Sequence, residues 1–287
     1  MIEGIQKILL LGGSGYLGSH IATRFKKEVD FDLTIGDLIK PINSAYDFIK
    51  VDVLNNSFVS SLIRDYDLII NCAGQITNPI TISYRINTKG IDSIIHAVKT
   101  HNKKLYHVST VAVYGTAEYA DEKSELSPES SYAACKAFAE YQINNHLSKE
   151  RFCILRIPNL YGENQPKGLL AYILKSSLSD TKLQFNNDGS LSRYFLHVDD
   201  CSDAIFSAVQ KNLEGTFNIP SNEKYNLKEI ISFIETVCNI KFEKRFDRRE
   251  PIDNIDELNF SSFESITGFK PRRTLNDFIN GVFPKHA

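Results

Sequence analysis

The chain has 287 residues, of which 42% are hydrophobic and 24% charged, with a formal net charge of −2 at pH 7. This balance fits a globular protein with a buried core and gives no basic field for nucleic acid or an anionic membrane. No apolar run reaches the roughly 20 residues that span a bilayer, and the N-terminus lacks a secretion-signal pattern. The five scattered cysteines, without a CxxC pair, favour a reduced, cytoplasmic protein and argue against a structural zinc site.

The stretch KILLLGGSGYLG at residues 7–18 joins a buried-strand pattern to a glycine-rich turn. Residues 8–11 form an unbroken apolar run, which is typical of a strand buried on both faces of a parallel sheet. Glycines follow at positions 12, 13, 15 and 18, and a helical pattern begins with them. This strand–turn–helix order indicates a dinucleotide whose pyrophosphate lies at the helix N-terminus.

Strand and helix patterns alternate from there to about residue 160. Further strands are predicted near 32–37, 46–53, 67–74, 103–110 and 151–162, and helices near 80–100 and 130–147. The alternation predicts an α/β fold with a doubly wound parallel sheet and right-handed crossovers. Asp37 ends the second strand, about 20 positions after the glycines, where a carboxylate accepts hydrogen bonds from an adenosine ribose. It therefore favours NAD over NADP, whose 2′-phosphate it would repel.

The pattern changes after residue 162, where loops separate short strands and helices. We predict a dinucleotide-binding Rossmann domain over residues 1–162 and a small C-terminal substrate-binding cap over most of 163–287. The segment 193–211 is expected to return to the Rossmann core. The cap is expected above the carboxyl edge of the sheet, where open α/β sheets bind their ligands.

Tyr132 and Lys136 are four residues apart on a predicted helix, so their side chains lie on one face about one turn apart. A nearby ammonium group favours the phenolate, and a tyrosine tuned in this way can exchange a proton with a sugar hydroxyl or ketone. Thr110 follows the fifth strand and can hydrogen-bond the same substrate oxygen. A Tyr-x-x-x-Lys pair alone is weak evidence, and here it depends on the dinucleotide loop upstream.

The chain resembles the extended short-chain dehydrogenases/reductases, in particular their nucleotide-sugar epimerase, dehydratase and reductase group. The resemblance runs from Lys7 to about Gly215, and its motifs are highly specific in combination. In chain order they are GGSGYLG (12–18), Asp37, Asp52-Val53, NCAG (71–74), Asn87, STVAVYG (109–115), YAACK (132–136), RIPNLYG (156–162) and RYFLHVDD (193–200).

The resemblance implies a role for each matching residue. Tyr132 would be the catalytic acid/base, Lys136 would lower its pKa and hold the nicotinamide ribose, and Thr110 would take the Ser/Thr role. The implied cofactor contacts are Gly12, Gly15, Tyr16 and Leu17 at the pyrophosphate, Asp37 at the ribose, Asp52 and Val53 at the adenine, and Ala73, Gly74, Asn87, Tyr132 and Lys136 along the remainder.

The same resemblance implies a nucleotide-diphosphate sugar as the substrate. Asn159 and Arg193 would meet its diphosphate, to which a guanidinium group is matched in shape. For Arg193 the alternative is a surface ion pair with Asp199 or Asp200. Family members are often homodimers that pair the helices near 80–100 and 130–147, although the apolar faces of these helices can instead pack on the sheet.

Several reactions remain open within this group. The 4,6-dehydratases carry acidic residues directly after the catalytic threonine, whereas Thr110 is followed by Val111 and Ala112, which disfavours dehydration. The remaining candidates are NAD-dependent epimerisation by transient oxidation at a sugar carbon and reduction of a 4-keto-6-deoxy sugar. The short cap slightly favours the reductase. A third possibility, of another class, is a non-catalytic NAD(P)-binding sensor or scaffold, against which the intact Thr110, Tyr132 and Lys136 argue.

Overall fold

The computed structural model describes residues 5–42, 45–74, 79–179, 181–247 and 252–283. Its strands are β1 (Gln6–Leu11), β2 (Phe31–Asp37), β3 (Asp47–Lys50), β4 (Leu68–Asn71), β5 (Lys104–Thr110), β6 (Ala117–Ala120), β7 (Phe152–Ile157), β8 (Asn159–Tyr161), β9 (Lys182–Phe185), β10 (Ser192–His197), β11 (Gly215–Asn218), β12 (Glu223–Asn226), β13 (Glu243–Phe246) and β14 (Ile255–Leu258).

Its helices are α1 (Tyr16–Phe25), α2 (Asn56–Ile63), α3 (Ile80–Arg85), α4 (Ile91–Thr100), α5 (Ser131–His146), α6 (Leu169–Ser177), α7 (Val198–Gln210), α8 (Leu227–Cys238), α9 (Ser261–Thr267) and α10 (Leu275–Val282). A π-helical turn, Ile86–Gly90, joins α3 to α4, and 3-10 turns occupy Val111–Tyr114 and Lys149–Arg151. Within the described ranges, no helix has both the length and the apolar character needed to cross a membrane.

The centre of the molecule is a seven-stranded sheet of order β11-β7-β5-β4-β1-β2-β3. Each neighbouring pair of its strands is parallel. The register places Leu10 of β1 beside Ile35 of β2 and Ile70 of β4, so apolar side chains lie in rows across the sheet. The prediction of an α/β fold with a doubly wound parallel sheet is confirmed.

Helices cover both faces of this sheet, which explains why its strands are apolar without alternation. On one face Leu10 shares a core cluster with Ile21 of α1 and Ile205 of α7. On the other face Leu9 shares a cluster with Ile94 of α4 and with side chains of α2 and α5. Burying one such side chain contributes about 1.5–3 kcal/mol, so the two clusters hold the three layers together.

The order of the strands creates a crevice at one edge of the sheet. From β1 the chain adds β2 and β3 on one side, and β4, β5 and β7 follow on the other side. The carboxyl ends of β1 and β4 therefore flank the point where the strand order reverses, which is where open α/β sheets bind ligands. Gly12 follows β1 directly, and Cys72, Ala73 and Gly74 follow β4.

The core around the central sheet also contains C-terminal residues outside the range 193–211. α7 packs against α1, and β11 extends the central sheet beside β7. Phe263 of α9 is fully buried in the same core cluster. β11 thus lies in the central sheet although it falls within 163–287, and a four-residue strand is too short for its pattern to show which sheet it joins.

Most of the other C-terminal elements, namely α6, α8, α10 and short strands, pack around a separate apolar cluster that includes Tyr161, Ile234 and Ile279. We call this part of the chain the cap. Its strands pair as β12-β10-β8 and as β13-β9. A further parallel pair, β14-β6, ties the C-terminal segment to the loop that precedes α5. The cap therefore contacts the Rossmann part through β8 and β10, which follow β7 and precede α7.

The helix predicted over 80–100 is interrupted by the π-helical turn at Ile86–Gly90. Asn87 lies in this turn, and its buried amide donates to the carbonyl oxygens of Ser83 (2.9 Å) and Gly74 (3.0 Å). The extra residue of a π-turn re-aims a side chain, and such turns are frequent at functional sites. Hydrophobic spacing alone does not show it, because the apolar face continues from α3 into α4.

Candidate active site

The glycine loop between β1 and α1 leaves the helix N-terminus open. Gly15 is the N-cap residue and has no side chain to accept hydrogen bonds from the first-turn N–H groups. Gly12 has φ of +77°, and a Cβ atom there would lie 2.7 Å from the backbone nitrogen of Ala73. The loop consequently passes close to the end of β4, and its free N–H groups and the helix dipole favour an anionic ligand.

Asp37 lies at the end of β2, beside this loop. Its Oδ2 accepts a hydrogen bond from the backbone N–H of Ser14 (3.0 Å), and its Oδ1 accepts one from Ile39 (3.3 Å). The carboxylate is thus oriented next to the place where the loop would hold a pyrophosphate. Asp52 and Val53 come after β3; the Asp52 side chain is exposed and accepts from the N–H of Leu54, while Val53 is buried.

The segment after β4 is fixed by two amide side chains. Asn71 accepts a hydrogen bond from the N–H of Ala73 (3.1 Å), and Asn87 donates to the carbonyl of Gly74. Gly74 has φ of +112°, and a Cβ atom there would lie 2.7 Å from Oδ1 of Asn87. Ala73, Gly74 and Asn87 therefore lie together after the end of β4, and Ala73 is next to Gly12 of the glycine loop.

Thr110, Tyr132 and Lys136 lie on two elements that pack against each other. Thr110 ends β5, and its hydroxyl accepts from the N–H of Ala112 (3.2 Å), which caps the 3-10 turn. Tyr132 and Lys136 are in the first two turns of α5, which contacts both β5 and that 3-10 turn. The ammonium group of Lys136 is buried and donates to the carbonyl oxygen of Val108 (2.9 Å).

Burial has the largest effect on the pKa of Tyr132, and the lowering of that pKa by Lys136 stays a prediction. Burial raises the pKa of the Tyr132 phenol above its ordinary value, since the phenolate would lose its hydration. Burial likewise lowers the pKa of the Lys136 ammonium group to about 8, although Cys72 and Glu140 act in the opposite direction. The ammonium group bonds Val108 of the neighbouring strand, and burial is the cause that decides the state of the phenol.

Asn159 and Arg193 are near each other at the junction of β8 and β10. Asn159 is exposed, and its amide donates to the carbonyl oxygen of Tyr194 (3.4 Å). The guanidinium group of Arg193 donates to the carbonyl oxygens of Ser192 (3.2 Å) and Ile252 (2.6 Å). It also donates to the carbonyl oxygen of Asp253.

Within the part of the chain that the structure describes, Arg193 forms no ion pair with Asp199 or Asp200, which was the alternative for this side chain. Asp199 is hydrogen-bonded to Nδ1 of His20 (2.6 Å). Asp200 is buried and accepts hydrogen bonds from Arg273. The sequence could not reveal these partners, because they lie 179 and 73 positions away along the chain.

A buried ion pair in the core was not predicted from the sequence. Glu140 of α5 and Arg156 of β7 form an ion pair of 2.7 Å, with both side chains almost completely buried. Two signals were available: Glu140 is four residues after Lys136, and Arg156 interrupts an otherwise apolar strand. Lys and Arg are almost never buried without a partner, so an arginine in such a strand predicts a buried carboxylate nearby.

A groove of about 690 Å³ in the cap is lined by aromatic and polar side chains. The rings of Phe185 and Phe246 stack with their centroids 5.5 Å apart, and Tyr172 meets Phe185 edge-on. Gln184 and Arg245 are among its polar lining residues. A wider groove of about 1080 Å³ lies along α2 and α4 and includes Asp52, but it contains none of Thr110, Tyr132 and Lys136.

Comparison with known proteins gives consistent matches. Residues 8–226 match the model of the NAD dependent epimerase/dehydratase family. The chain is 28% identical over 298 residues to a Methanocaldococcus jannaschii protein assigned as a UDP-glucose 4-epimerase, covering 96% of each. It is 26% identical to the dTDP-glucose 4,6-dehydratase of Streptomyces antibioticus, covering 96% of this chain and 90% of the other. The structure of the Bacillus cereus UDP-glucuronic acid 4-epimerase with UDP-glucuronic acid and NAD superposes with a TM-score of 0.84 at 25% identity, covering 96% and 97%.

The lowered pKa of the buried Lys136 ammonium group should change how the free energy of unfolding depends on pH. A free lysine has a pKa of about 10.4, and burial lowers that of Lys136 to about 8. Between these values the unfolded chain binds more protons, so the wild-type protein gains stability relative to Lys136→Met as pH rises. The gain should approach about 1.4 kcal/mol per pH unit.

Urea unfolding of both proteins at pH 7 to 10 measures this difference. The variant Lys99→Met, which removes an exposed lysine of α4, serves as the control for general effects of alkaline buffer. If the difference in unfolding free energy between the wild type and Lys136→Met stays constant from pH 8 to pH 10, the lowered pKa of Lys136 is contradicted.

Proposed function

The chain belongs to the NAD-dependent epimerase/dehydratase family, and from that premise we propose that it epimerises a nucleotide-linked sugar with NAD as its cofactor. The observation that carries the proposal is the pairing of Thr110 at the end of β5 with Tyr132 and Lys136 on α5, next to a glycine loop with an open helix N-terminus. These are the parts that proton transfer beside a bound dinucleotide requires.

The residues present fit a dinucleotide. The open N–H groups above Gly15 suit the pyrophosphate, together with the backbone of Gly12, Tyr16 and Leu17. Asp37 is oriented toward this loop through Ser14 and suits the hydroxyl groups of the adenosine ribose. We assign Asp52 and Val53 to the adenine, and Ala73, Gly74 and Asn87 to the middle of the cofactor. When bound, NAD supplies hydride exchange at C4 of its nicotinamide.

Tyr132 is the group we assign to proton transfer with a sugar hydroxyl. Since burial holds its proton in place, deprotonation requires a positive charge beside the phenol. Lys136, one helical turn away, is the cation that α5 provides, and we assign it also to the nicotinamide ribose. We assign Thr110 to hydrogen-bond the same sugar oxygen, so that the oxygen is held while the proton moves.

The reaction we propose depends on the two residues directly after Thr110. The 3-10 turn presents Val111, which is buried, and Ala112, neither of which can donate or accept a proton. Elimination of water from a keto-sugar needs such a group, so epimerisation remains the best-supported outcome. Similar proteins include both 4-epimerases and 4,6-dehydratases at nearly equal identity, so the choice between them rests on these two residues. Reduction of a 4-keto-6-deoxy sugar is the alternative, which the small cap favours.

The substrate we propose is a nucleotide-diphosphate sugar, with UDP-sugars first in a test panel because two of the similar proteins are named for them. We assign Asn159 and Arg193 to its diphosphate. Arg193 would exchange its carbonyl partners at 252–253 for phosphate oxygens, which bind a guanidinium group more strongly than neutral carbonyls do. The aromatic groove of the cap offers a stacking surface for a nucleobase.

We also propose that the protein acts as a homodimer in the cytoplasm. Ile82 and Tyr84 of α3 and Phe138 and Tyr141 of α5 are each more than 40% exposed, and α3 contacts α5. The apolar face of α4 packs in the core instead, where its residues Ile91, Ile94, Ile95 and Val98 are buried. The five cysteines are all free, in keeping with a reducing compartment.

Replacing Tyr132 with Phe should abolish turnover, because the ring stays while the exchangeable proton is lost. We expect at least a hundredfold loss of kcat, with NAD affinity within about twofold of wild type. Tyr141→Phe removes a hydroxyl from an exposed ring of the same helix and serves as the control. Activity that survives in Tyr132→Phe would show that another group moves the proton.

The same assay separates the candidate functions. With a panel of nucleotide sugars, an epimerase interconverts isomers without net change in reduced cofactor. A reductase consumes reduced cofactor in equal amount to its product, and a sensor binds NAD without turnover on any sugar.

Replacing Asp37 with Ser should shift cofactor preference from NAD toward NADP. The change removes a carboxylate acceptor and its negative charge, and a charged hydrogen bond of about 1.5–3 kcal/mol predicts at least a tenfold weaker NAD complex. Asp32→Ser makes the same change at an exposed position of the same strand and should leave the ratio unaltered. Titration calorimetry with both cofactors measures the ratio, and an unchanged ratio in Asp37→Ser would reject the ribose assignment.

A charge at Phe138 should disrupt the proposed dimer. Light scattering should give about twice the chain mass of 32.5 kDa for the wild type and the single-chain mass for Phe138→Glu. Ile266→Glu places the same charge on an exposed apolar residue of α9 and should keep the dimer. If the wild type is monomeric at micromolar concentration, the assembly proposal fails.

A further inference from the structure

The buried ion pair of Glu140 and Arg156 is joined to both ends of the turn that carries Thr110. Nη2 of Arg156 lies 2.7 Å from Oε2 of Glu140, and Nε lies 3.1 Å from the same oxygen. The hydroxyl of Ser109, the residue before Thr110, donates to Oε1 of Glu140. Nη1 of Arg156 donates to the hydroxyl of Tyr114 at 2.7 Å, four residues after Thr110.

The network continues into the next strand of the sheet. Tyr114 donates to Oδ1 of Asn218 at 2.7 Å, and Asn218 is completely buried in β11. The ion pair thus connects α5, β5, β7 and β11 around a single turn. Glu140 is also four and eight residues after Lys136 and Tyr132, so all three side chains are on one side of α5.

We propose that Glu140 and Arg156 are positioning residues, which hold Thr110 opposite Tyr132 and keep Lys136 positively charged. The inference rests on the proposed function, because it assigns a task to groups that touch neither substrate nor cofactor. Glu140 fixes α5 to the start of the turn, and Arg156 fixes the end of the turn through Tyr114. The ion pair thereby fixes the distance from Thr110 on β5 to Tyr132 and Lys136 on α5.

Stability alone is a weak reason for a buried pair of this kind. Removing two charges from water costs several kcal/mol per ion, and well-packed apolar replacements are often as stable or more stable. A buried pair with a bidentate geometry does, however, define one arrangement of the elements that it joins. That property is what a site built across two elements requires.

The second task of Glu140 follows from the groups that face Lys136. They are Cys72 after β4, His107 on β5, and Cys135 and Glu140 on α5. Burial raises the pKa of Cys72 to about 12 and raises that of Cys135, while burial lowers the pKa of His107, so these three are neutral near pH 7. Glu140 is the negative group among the four, and its charge favours the ammonium form of Lys136.

The variant Glu140→Gln tests both tasks. It keeps a carbonyl oxygen for Ser109 but removes the charge, so the pKa of Lys136 should fall. Since we assign Lys136 to the nicotinamide ribose, NAD affinity should decline near pH 8 in the wild type and at lower pH in the variant. We expect NAD affinity about tenfold below wild type at pH 8 and within about twofold at pH 6, with kcat reduced at least tenfold.

Glu235→Gln is the matched control. Glu235 of α8 is another buried glutamate, bound to Lys244 at 2.8 Å and to Lys241 at 3.3 Å inside the cap. Its loss should affect folding stability in the same manner but leave the pH dependence of NAD affinity unchanged. A merely structural role for Glu140 predicts that its variant loses NAD affinity by one factor at all pH values, and that result would overturn the proposal.

Two milder variants keep the test decisive if Glu140→Gln does not fold. Ser109→Ala breaks the link at the start of the turn, and Arg156→Lys keeps the charge but loses the bidentate geometry. Both should lower kcat several-fold with the pH profile unaltered, and wild-type kcat in both would overturn the positioning role.

The NAD titration requires no sugar, so its result distinguishes a failure of the inference about Glu140 from a failure of the proposed function. A wild-type protein that turns over no nucleotide sugar contradicts the proposed function. A wild-type pH profile in Glu140→Gln contradicts the inference about Glu140, and so does NAD affinity in the wild type that does not change near pH 8.

Discussion

In a parallel sheet every strand ends at the same edge, and the candidate site of this protein depends on that constraint. The residues at or just after the carboxyl ends of β1, β2, β4 and β5 are far apart in the sequence but meet along one edge, because the strands are parallel neighbours. Gly12, Asp37, Gly74 and Thr110 are the examples. The helix that returns from each strand then lies against the sheet, so the N-terminus of α1 and the first turns of α5 face the same edge.

Burial of polar groups at this edge has a consistent chemical effect. The phenol of Tyr132 and the ammonium group of Lys136 are both moved toward their neutral forms by loss of hydration. The protonation state of a group held in this way is sensitive to a single added charge. The ion pair of Glu140 and Arg156 stays charged in the same region because each partner neutralises the other, and it can therefore orient the elements around it.

Features with a local cause were accessible from the sequence. The apolar run before the glycines, the alternation of strand and helix, and the four-residue spacing of Tyr132 and Lys136 predicted the sheet, its topology class and a shared helix face. The features that the sequence could not show depend on partners distant in the chain or on a single inserted residue. Arg193 bonds carbonyl groups about 60 positions away, and the π-turn at Asn87 changes no apolar period. The effect of burial on the pKa of Tyr132 was not visible in the sequence for a similar reason, since burial depends on the side chains that the fold packs around it.

A crystal structure of the protein with NAD measures the central claim most directly. The account predicts the pyrophosphate on the first-turn N–H groups of α1 at about 2.7–3.2 Å. It also predicts the adenosine ribose on Asp37 and the nicotinamide ribose in contact with Tyr132 and Lys136. Density for the dinucleotide along α2 and α4, or a nicotinamide beyond the reach of the Tyr132 hydroxyl, would contradict it.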